Sequence, residues 1–453
     1  MGRDKTKFSI AMEHHLRSFK EKANMEVRCF LLVAIVLMPV TLTFLSGCKY
    51  NATTPLWDQP YTAPATPQIT SVVPAGEAKA GPQGNLITIN GHNFTIASSD
   101  TLVPDTTIVY FNTLQANVIS LDSNRIVVRR PNLVSDSCTI KVSVHNAIVE
   151  PTISAYKIDQ VTWLYGGFLQ NIALAGIAVD NQEHVFVMDN STSASSTYLH
   201  VLEATGATDN VPLSGTVSAL ATQFKWRNAC VGPDGFLYML GAANRGIDKV
   251  DLSTGNVTQK WIQLPKTTNV GDFGPGGYLF AGGAKTDLYV VSPYDSGSLS
   301  APQLGLTGAY ASDTILAVKV YNGYVYVASK SSTSNEPAKI WMNQLTSDST
   351  IGARELIVDL NGTAFASDPI SAIAISASGV LFIATNSTDP LLWIDPSSGN
   401  LDNFYKGIVP SYCTGIAWSK ISDYLYMITG NTAASQTWTV YRVDMGDRCG
   451  VSF

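Results

Sequence analysis

The chain has 453 residues, of which 45% are hydrophobic and only 14% charged, with 29 Lys and Arg against 35 Asp and Glu. A charge-poor, mildly acidic chain has no electrostatic footprint for nucleic acid, and its six cysteines include no CxxC pair, which argues against a structural zinc site. The length calls for two or three domains.

The leader comes first. Arg28 stands before the seventeen-residue apolar run Cys29–Leu45, CFLLVAIVLMPVTLTFL, while residues 1–24 are charged and lack any apolar stretch, so Met25 is an alternative start. A basic n-region and an apolar h-region ending in small residues make an export signal. A plain transmembrane anchor is the competing reading, because such a run nearly spans a bilayer. The run ends in Leu45-Ser46-Gly47-Cys48, which resembles the lipobox of bacterial lipoproteins. The resemblance implies that residues 1–47 are a signal peptide, removed before Cys48, and that Cys48 is the lipid attachment site. Each buried CH2 of an acyl chain contributes about 0.8 kcal/mol, so several chains hold a domain at a membrane. Lys49 follows the cysteine where an aspartate would favour inner-membrane retention in that family, so the outer membrane and the cell surface are the expected location.

Removing the leader leaves 22 basic and 31 acidic residues, a formal balance of −9. Residues 48–66 contain Pro55, Pro60 and Pro64 among Thr, Ala and Asn, the composition of an extended tether. Cys138, Cys230, Cys413 and Cys449 remain beyond Cys48. Export permits disulfides, and Cys413 with Cys449 is the pair to test; buried free thiols are the equal alternative.

From Pro67 to Ile158 short alternating strands are separated by Gly, Asn and Pro: Leu86–Asn90, Thr107–Phe111, Arg125–Val128 and Thr139–Val144. This pattern predicts a small antiparallel sandwich over residues 67–158. PQITSVVPAGEAKAG (67–81), LITINGHNF (86–94), RIVVRRP (125–131) and the TIKVSV strand together resemble an IPT/TIG domain, an immunoglobulin-like module. HNAIVEPTISAYKI lacks the usual glycine turn, which leaves the last hairpin open. Such modules act mostly as spacers.

Beyond residue 158 repetition dominates. DLSTGN at Asp251–Asn256 recurs as DPSSGN at Asp395–Asn400, 144 residues on, or three steps of 48. Further registers fall at Glu203, at YDSGSLS (294–300), at LTSDSTIG (345–352) and at Asp444, making six. Upstream of each register lies a second hairpin, as in GIAVDNQEHVFVMD (176–189), ACVGPDGFLYML (229–240) and IAISASGVLFIAT (373–385). Two hairpins per unit make a four-stranded blade. The expected fold is therefore all-β: an immunoglobulin-like sandwich followed by a six-bladed β-propeller over 159–453, with a solenoid as the alternative. VTWLYGG (161–167) has no partner in the first unit and the last unit lacks a strand, so the two ends are expected to complete one blade and remove an open edge. The hairpins resemble NHL-type repeats. An IPT/TIG module before an NHL-like propeller resembles surface lipoproteins of Bacteroidetes, some of which lie with polysaccharide-uptake systems.

Residues for catalysis are few. No HExxH, no GxSxG and no phosphate-binding loop occurs, and FGPGG (273–277) is followed by neither Lys-Ser/Thr nor a helix. NHL-like propellers include metal-dependent lyases and lactonases, for which Asp180, Asp189 and Asp234 are the available carboxylates; as hairpin-turn residues they are more simply turn formers. No cofactor is expected beyond the lipid on Cys48, with structural calcium left open. Trp163, Trp261, Trp341, Trp393 and Trp438 lie in strand patterns and are expected to pack between blades. Trp226, in QFKWRN, lies in a loop entering a blade. The loops on that face would gather Trp226, Arg227, Asn228, Asn244, Arg245, Tyr294, Tyr310, Asp313, Asp368 and Tyr412 as a binding face for an extracellular glycan, with aromatic rings stacking on sugars. The alternatives are a metal-dependent propeller enzyme and an adhesive scaffold for a surface protein partner.

Overall fold

The computed structural model describes residues 65–95, 107–167, 174–189, 198–202, 208–212, 226–241, 245–283, 287–293, 297–298, 309–395, 398–431 and 435–450. The expected signal peptide, Cys48 and most of the expected tether lie outside the described residues.

Residues Gln68–Ile158 form two facing sheets. One orders the strands Gln68–Val73, Leu86–His92, Arg125–Arg129 and Val118–Leu121; the other orders Glu77–Ala78, Thr152–Ile158, Ser135–Val144, Thr107–Phe111 and Leu114–Gln115. Strand alternation explains the core. In Leu86–His92 every second residue is buried, and Ile87 and Ile89 meet Val109, Phe111, Ile126, Val128, Ile140 and Val142 from both sheets. The last hairpin, left open by the sequence, pairs Ser135–Val144 with Thr152–Ile158 through two register shifts.

Six further sheets form the propeller blades. The inner strands are Leu174–Val179, Asn228–Val231, Val270–Phe273, Asp313–Tyr321, Ile370–Ile375 and Cys413–Trp418, and each contacts the next around a closed ring. The repeated DxSxGN hexapeptides sit at the turns from third to fourth strand of blades two and five, after Gly246–Val250 and Leu391–Ile394. Their chemistry fits a tight turn. The Asp251 carboxylate accepts from Ser253 N at 2.9 Å, and Gly255 takes φ 70°, which a residue with a Cβ adopts at a cost. The ring closes as expected: Thr162–Gly167 pairs antiparallel with Ser435–Asp444 and supplies the outer strand of blade six. Blade three departs from the pattern. It shows three strands among the described residues, and Gly297–Ser298 pairs in parallel with the outer strand of blade two.

The apolar clusters of the propeller lie mainly between blades. Blades five and six share Phe382, Trp393, Phe404, Trp418, Leu425 and Met427, and blades one and two share Phe186, Met188, Leu199, Leu237 and Met239. Trp393 and Trp438 are buried there, while Trp261 and Trp341 pack partly buried against neighbouring clusters, as expected of strand tryptophans.

The sandwich is seated directly on blades five and six. Arg129 donates to Asp402 at 2.6 Å, Asn132 Nδ2 to Gly407 O at 2.9 Å, and Tyr405 N to Asn85 Oδ1 at 2.9 Å. The Tyr405 ring is buried, with its hydroxyl donating to Asp444 O at 3.0 Å and accepting from Gly81 N at 2.5 Å. Arg130, from the sandwich, donates to the carbonyls of Ala78, Lys79 and Asp159 and so ties the segment linking the domains to the sandwich. Buried polar groups paired in this way hold one orientation, because separating them leaves several unsatisfied.

Candidate functional site

The inner strands leave a channel along the propeller axis. The strands all start on one face and end on the other, so the two ends of the channel take their lining from different positions of each strand.

The mouth lies where the inner strands start. A cavity of about 250 Å³ is lined there by Arg227, Asn228, Asn269, Thr314, Ser371 and Thr414, over apolar positions such as Ile315 and Ile416. The polar ring is thus two amides, three hydroxyls and one guanidinium. Thr414 Oγ1 is buried with no hydrogen-bond partner.

The floor lies where the inner strands end. A second cavity, about 130 Å³, shares Asn228, Ser371, Ala372 and Ile416 with the mouth and is lined by Ala178, Val231, Ala317, Ala374, Ala417 and Trp418. Its charged groups are Asp272, Lys319 and Lys420. Lys319 Nζ donates to Asp272 Oδ2 at 3.0 Å, and Val320 N donates to the same oxygen at 2.9 Å. Burial works against the Lys319 charge, but Asp272 outweighs it and raises the lysine above its ordinary pKa. Lys420 goes the other way: burial, reinforced by Lys319, lowers it. Burial pushes up the Cys230 and Cys449 thiols, which also border this space. Beyond Lys420 a groove of about 650 Å³ opens on the hairpin-turn face, lined by Asp180, Asp234, Asp251 and Phe236 among others.

Those turn carboxylates are occupied by their own turns. Asp180 Oδ1 accepts from Gln182 N and His184 N at 2.9 and 2.8 Å, and Asp234 Oδ2 accepts from Tyr238 OH and Lys249 Nζ, both at 2.7 Å. Among the described residues no three His, Cys, Asp or Glu side chains come together to hold a metal.

The expected binding face divides into separate places. Arg227 and Asn228 line the mouth. Trp226 does not face solvent: it is 1% exposed, packed between blades one and two against Phe186, Met188 and Leu237, and its Nε1 donates to Asp248 Oδ2 at 2.8 Å. The physical reason is area. Burying roughly 200 Å² of aromatic surface at about 25 cal/mol per Å² stabilises the fold by about 5 kcal/mol, so a tryptophan within reach of an inter-blade seam goes into it. Tyr310 is buried as well, with its hydroxyl against Asn343. Asp313 joins Arg354 at 3.2 Å and accepts from Ser329 Oγ at 2.9 Å, while the Arg354 guanidinium lies 4.2 Å from the Trp341 ring centroid and 5.3 Å from that of Tyr310. Arg245 is exposed, in a left-handed backbone conformation, and donates to Pro265 O at 2.9 Å. Asp368 and Tyr412 lie together at Ser387: burial raises the Asp368 carboxyl against a Ser387 hydrogen bond, and Tyr412 N donates to Ser387 O at 2.8 Å. Tyr412 is 37% exposed. Asn244 and Tyr294 lie outside the described residues.

The Cys413–Cys449 pairing is corrected. Both are buried free thiols of one core cluster, each turned to a carbonyl near its own position, Gly415 O at 3.5 Å and Gly450 O at 3.3 Å. Burial pushes the Cys413 thiol up to about 12.

Lys319, Lys420 and Asp272 escaped the sequence reading. For Lys319 and Asp272 the signal was present: AVKVY and VGDF carry a charge inside a first strand where the other units have small apolar residues, as in GIAV and IAIS.

Residues 67–156 match the IPT/TIG domain. No curated protein matches the chain in sequence. Among solved structures, an auxiliary nutrient binding protein from Bacteroides ovatus is 9% identical, with 84% of this chain and 99% of that one covered at a TM-score of 0.40. A protein of the same description from Bacteroides thetaiotaomicron is 9% identical, with 83% and 98% covered at 0.43. Virginiamycin B lyase from Staphylococcus aureus is 13% identical, with 61% and 86% covered at 0.37.

Proposed function

We propose that this protein is a lipid-anchored binding protein of the outer membrane surface that holds an extracellular glycan unit at the channel mouth without chemical change. The observation that carries the reading is the mouth's lining: two amides, three hydroxyls and Arg227 converge on one cavity of about 250 Å³. Sites for hydroxyl-rich ligands need a few convergent donors and acceptors over an apolar base. The buried Thr414 hydroxyl supports it, since an unsatisfied buried hydroxyl costs roughly 1–3 kcal/mol that a ligand hydroxyl would offset. Tyr412, exposed and two residues from Thr414, is the aromatic ring of the expected face that remains available for stacking on a sugar.

A glycan array with the purified full chain, with metal analysis of the same sample, tests this. Binding to one glycan class, weakened at least tenfold by Asn228→Ala, is expected. A stoichiometric divalent metal without glycan binding would overturn the reading in favour of a metal-dependent lyase or lactonase; neither signal would favour an adhesive scaffold. The anchor is tested by palmitate feeding. The wild type should be labelled and membrane-bound and Cys48→Ser unlabelled and released, whereas an unlabelled wild type refutes the lipid on Cys48.

A further inference from the structure

The amides and hydroxyls of the mouth suit sugars in general, and Arg227 is the residue that can choose among them. It is the charged side chain of the cavity lining, and no Asp or Glu stands with it there. Its place is held by the backbone of its own blade. Arg227 N donates to Leu240 O at 2.8 Å, and Gly241, at φ 93°, leaves the space beside it, since a Cβ on that glycine would stand 2.9 Å from Arg227 N and Cβ. The side chain is exposed and meets no hydrogen-bond or ion-pair partner among the described residues, whereas Arg129, Arg245 and Arg354 are each tied to a protein acceptor. Asp313, beside the lining Thr314, is taken by Arg354 at 3.2 Å and by Ser329 Oγ at 2.9 Å. The mouth thus offers one positive charge and no competing carboxylate of its own lining.

The ring of blades spreads the polar groups apart. Arg227 stands just before Asn228, which opens the inner strand of blade two, while Thr314, Ser371 and Thr414 are the second residues of the inner strands of blades four, five and six. Those three blades form the half of the ring across the axis from blade two. A ligand lying over the mouth therefore meets a cation at one edge and hydroxyls at the other. A hexuronate has the matching polarity, with a carboxylate on one ring carbon and hydroxyls around the rest of the ring. The paired N–H groups of a guanidinium fit the two coplanar oxygens of a carboxylate. Size agrees: a cavity of about 150 Å³ takes benzene, so one of about 250 Å³ takes roughly ten non-hydrogen atoms, the scale of one sugar ring and not two. We infer that the mouth selects an acidic glycan, receiving a single uronic-acid residue with its carboxylate on Arg227 and its ring hydroxyls on Asn228, Thr314, Ser371 and Thr414. This rests on the glycan reading of the mouth and adds to it the sugar class and the residue that selects it.

The test is calorimetric titration of the full chain with galacturonate and glucuronate oligosaccharides, each against the same oligosaccharide after reduction of its carboxyls to primary alcohols. The carboxylated form of one pair is expected to bind at least tenfold more tightly than its neutral form, with the difference shrinking as salt is raised. Arg227→Gln should abolish that difference. Arg227→Lys keeps the charge without the paired N–H groups and should retain only part of it. Arg125→Gln, at an exposed strand residue of the sandwich, should leave the selectivity as in the wild type. Equal binding of the two forms by the wild type, undiminished selectivity in Arg227→Gln, or tighter binding of a sulfated neutral glycan would each overturn the inference while leaving the glycan reading in place. Absence of binding by either form, with no glycan bound on the array, would refute the glycan reading and the inference with it.

Discussion

The two ends of the propeller channel are built from the same six strands and differ in kind. At the mouth, where strands begin, the lining is hydroxyl and amide groups around Asn228, Asn269, Thr314, Ser371 and Thr414. At the floor, where they end, an ion pair and a second lysine sit among alanines. In a propeller the inner strands turn their side chains toward neighbouring blades and leave the axis to strand edges, so a substitution near the start or the end of one strand, as at Thr414 or Lys319, changes the chemistry of that end. Repetition fixes the ring, and departures from repetition make the site.

The largest test of this contrast concerns what supports the mouth. Trp226→Ala empties an inter-blade seam and strips Asp248 of the indole donor, so a loss of about 3–5 kcal/mol in denaturant unfolding is expected. If stability were unchanged and only ligand binding fell, Trp226 would belong to the binding surface after all. Lys319→Met should cost a comparable or slightly smaller amount, about 3–5 kcal/mol, because it leaves the Asp272 carboxylate enclosed without its cation. Adding Asp272→Asn should recover most of that loss; no recovery would mean that the pair does not act as a unit.

Titration separates the two floor lysines. Lys319 is raised and Lys420 lowered, so rising pH discharges Lys420 first. Between its folded value and that of an ordinary lysine the unfolded chain binds more protons at Lys420, and stability should therefore rise with pH in that window. The Lys319 contribution is fully present below the ordinary lysine value and is lost as pH passes its raised folded value. Glycan affinity at the mouth should hold steady through that window, and a loss that followed the Lys420 titration would break the contrast. The smallest effect is at the mouth: Thr414→Val replaces an unpaired buried hydroxyl by a methyl, so stability should change by less than about 1 kcal/mol, upward, while glycan binding weakens.

Much of this architecture was legible in the chain. The DLSTGN and DPSSGN spacing located two third-to-fourth-strand turns, and the stranded VTWLYGG segment anticipated the closing pair with Ser435–Asp444. Tight turns need particular residues locally, and an unpaired edge is visible as a strand without a partner, so both leave marks in the sequence. The site was less legible. Arg227 and Asn228 were found because they stand at the start of an inner strand, whereas Trp226, one position earlier, was assigned to the surface and proved to be core.

What the sequence by itself determined is therefore the local grammar: strands, turns, the repeat and the pattern of the sandwich, each written in neighbouring residues. Only the tertiary structure decided that Trp226 and Tyr310 fill inter-blade seams, that Cys413 and Cys449 stay apart, and that the sandwich seats on blades five and six through Arg129 and Tyr405. It also decided that Asp272 and Lys319, 47 positions apart, meet on one axis with Lys420. The reason is geometric. A channel is lined by one short piece of every blade, and which side chain reaches the axis depends on the twist and stagger of sheets distant in sequence, which no single repeat encodes.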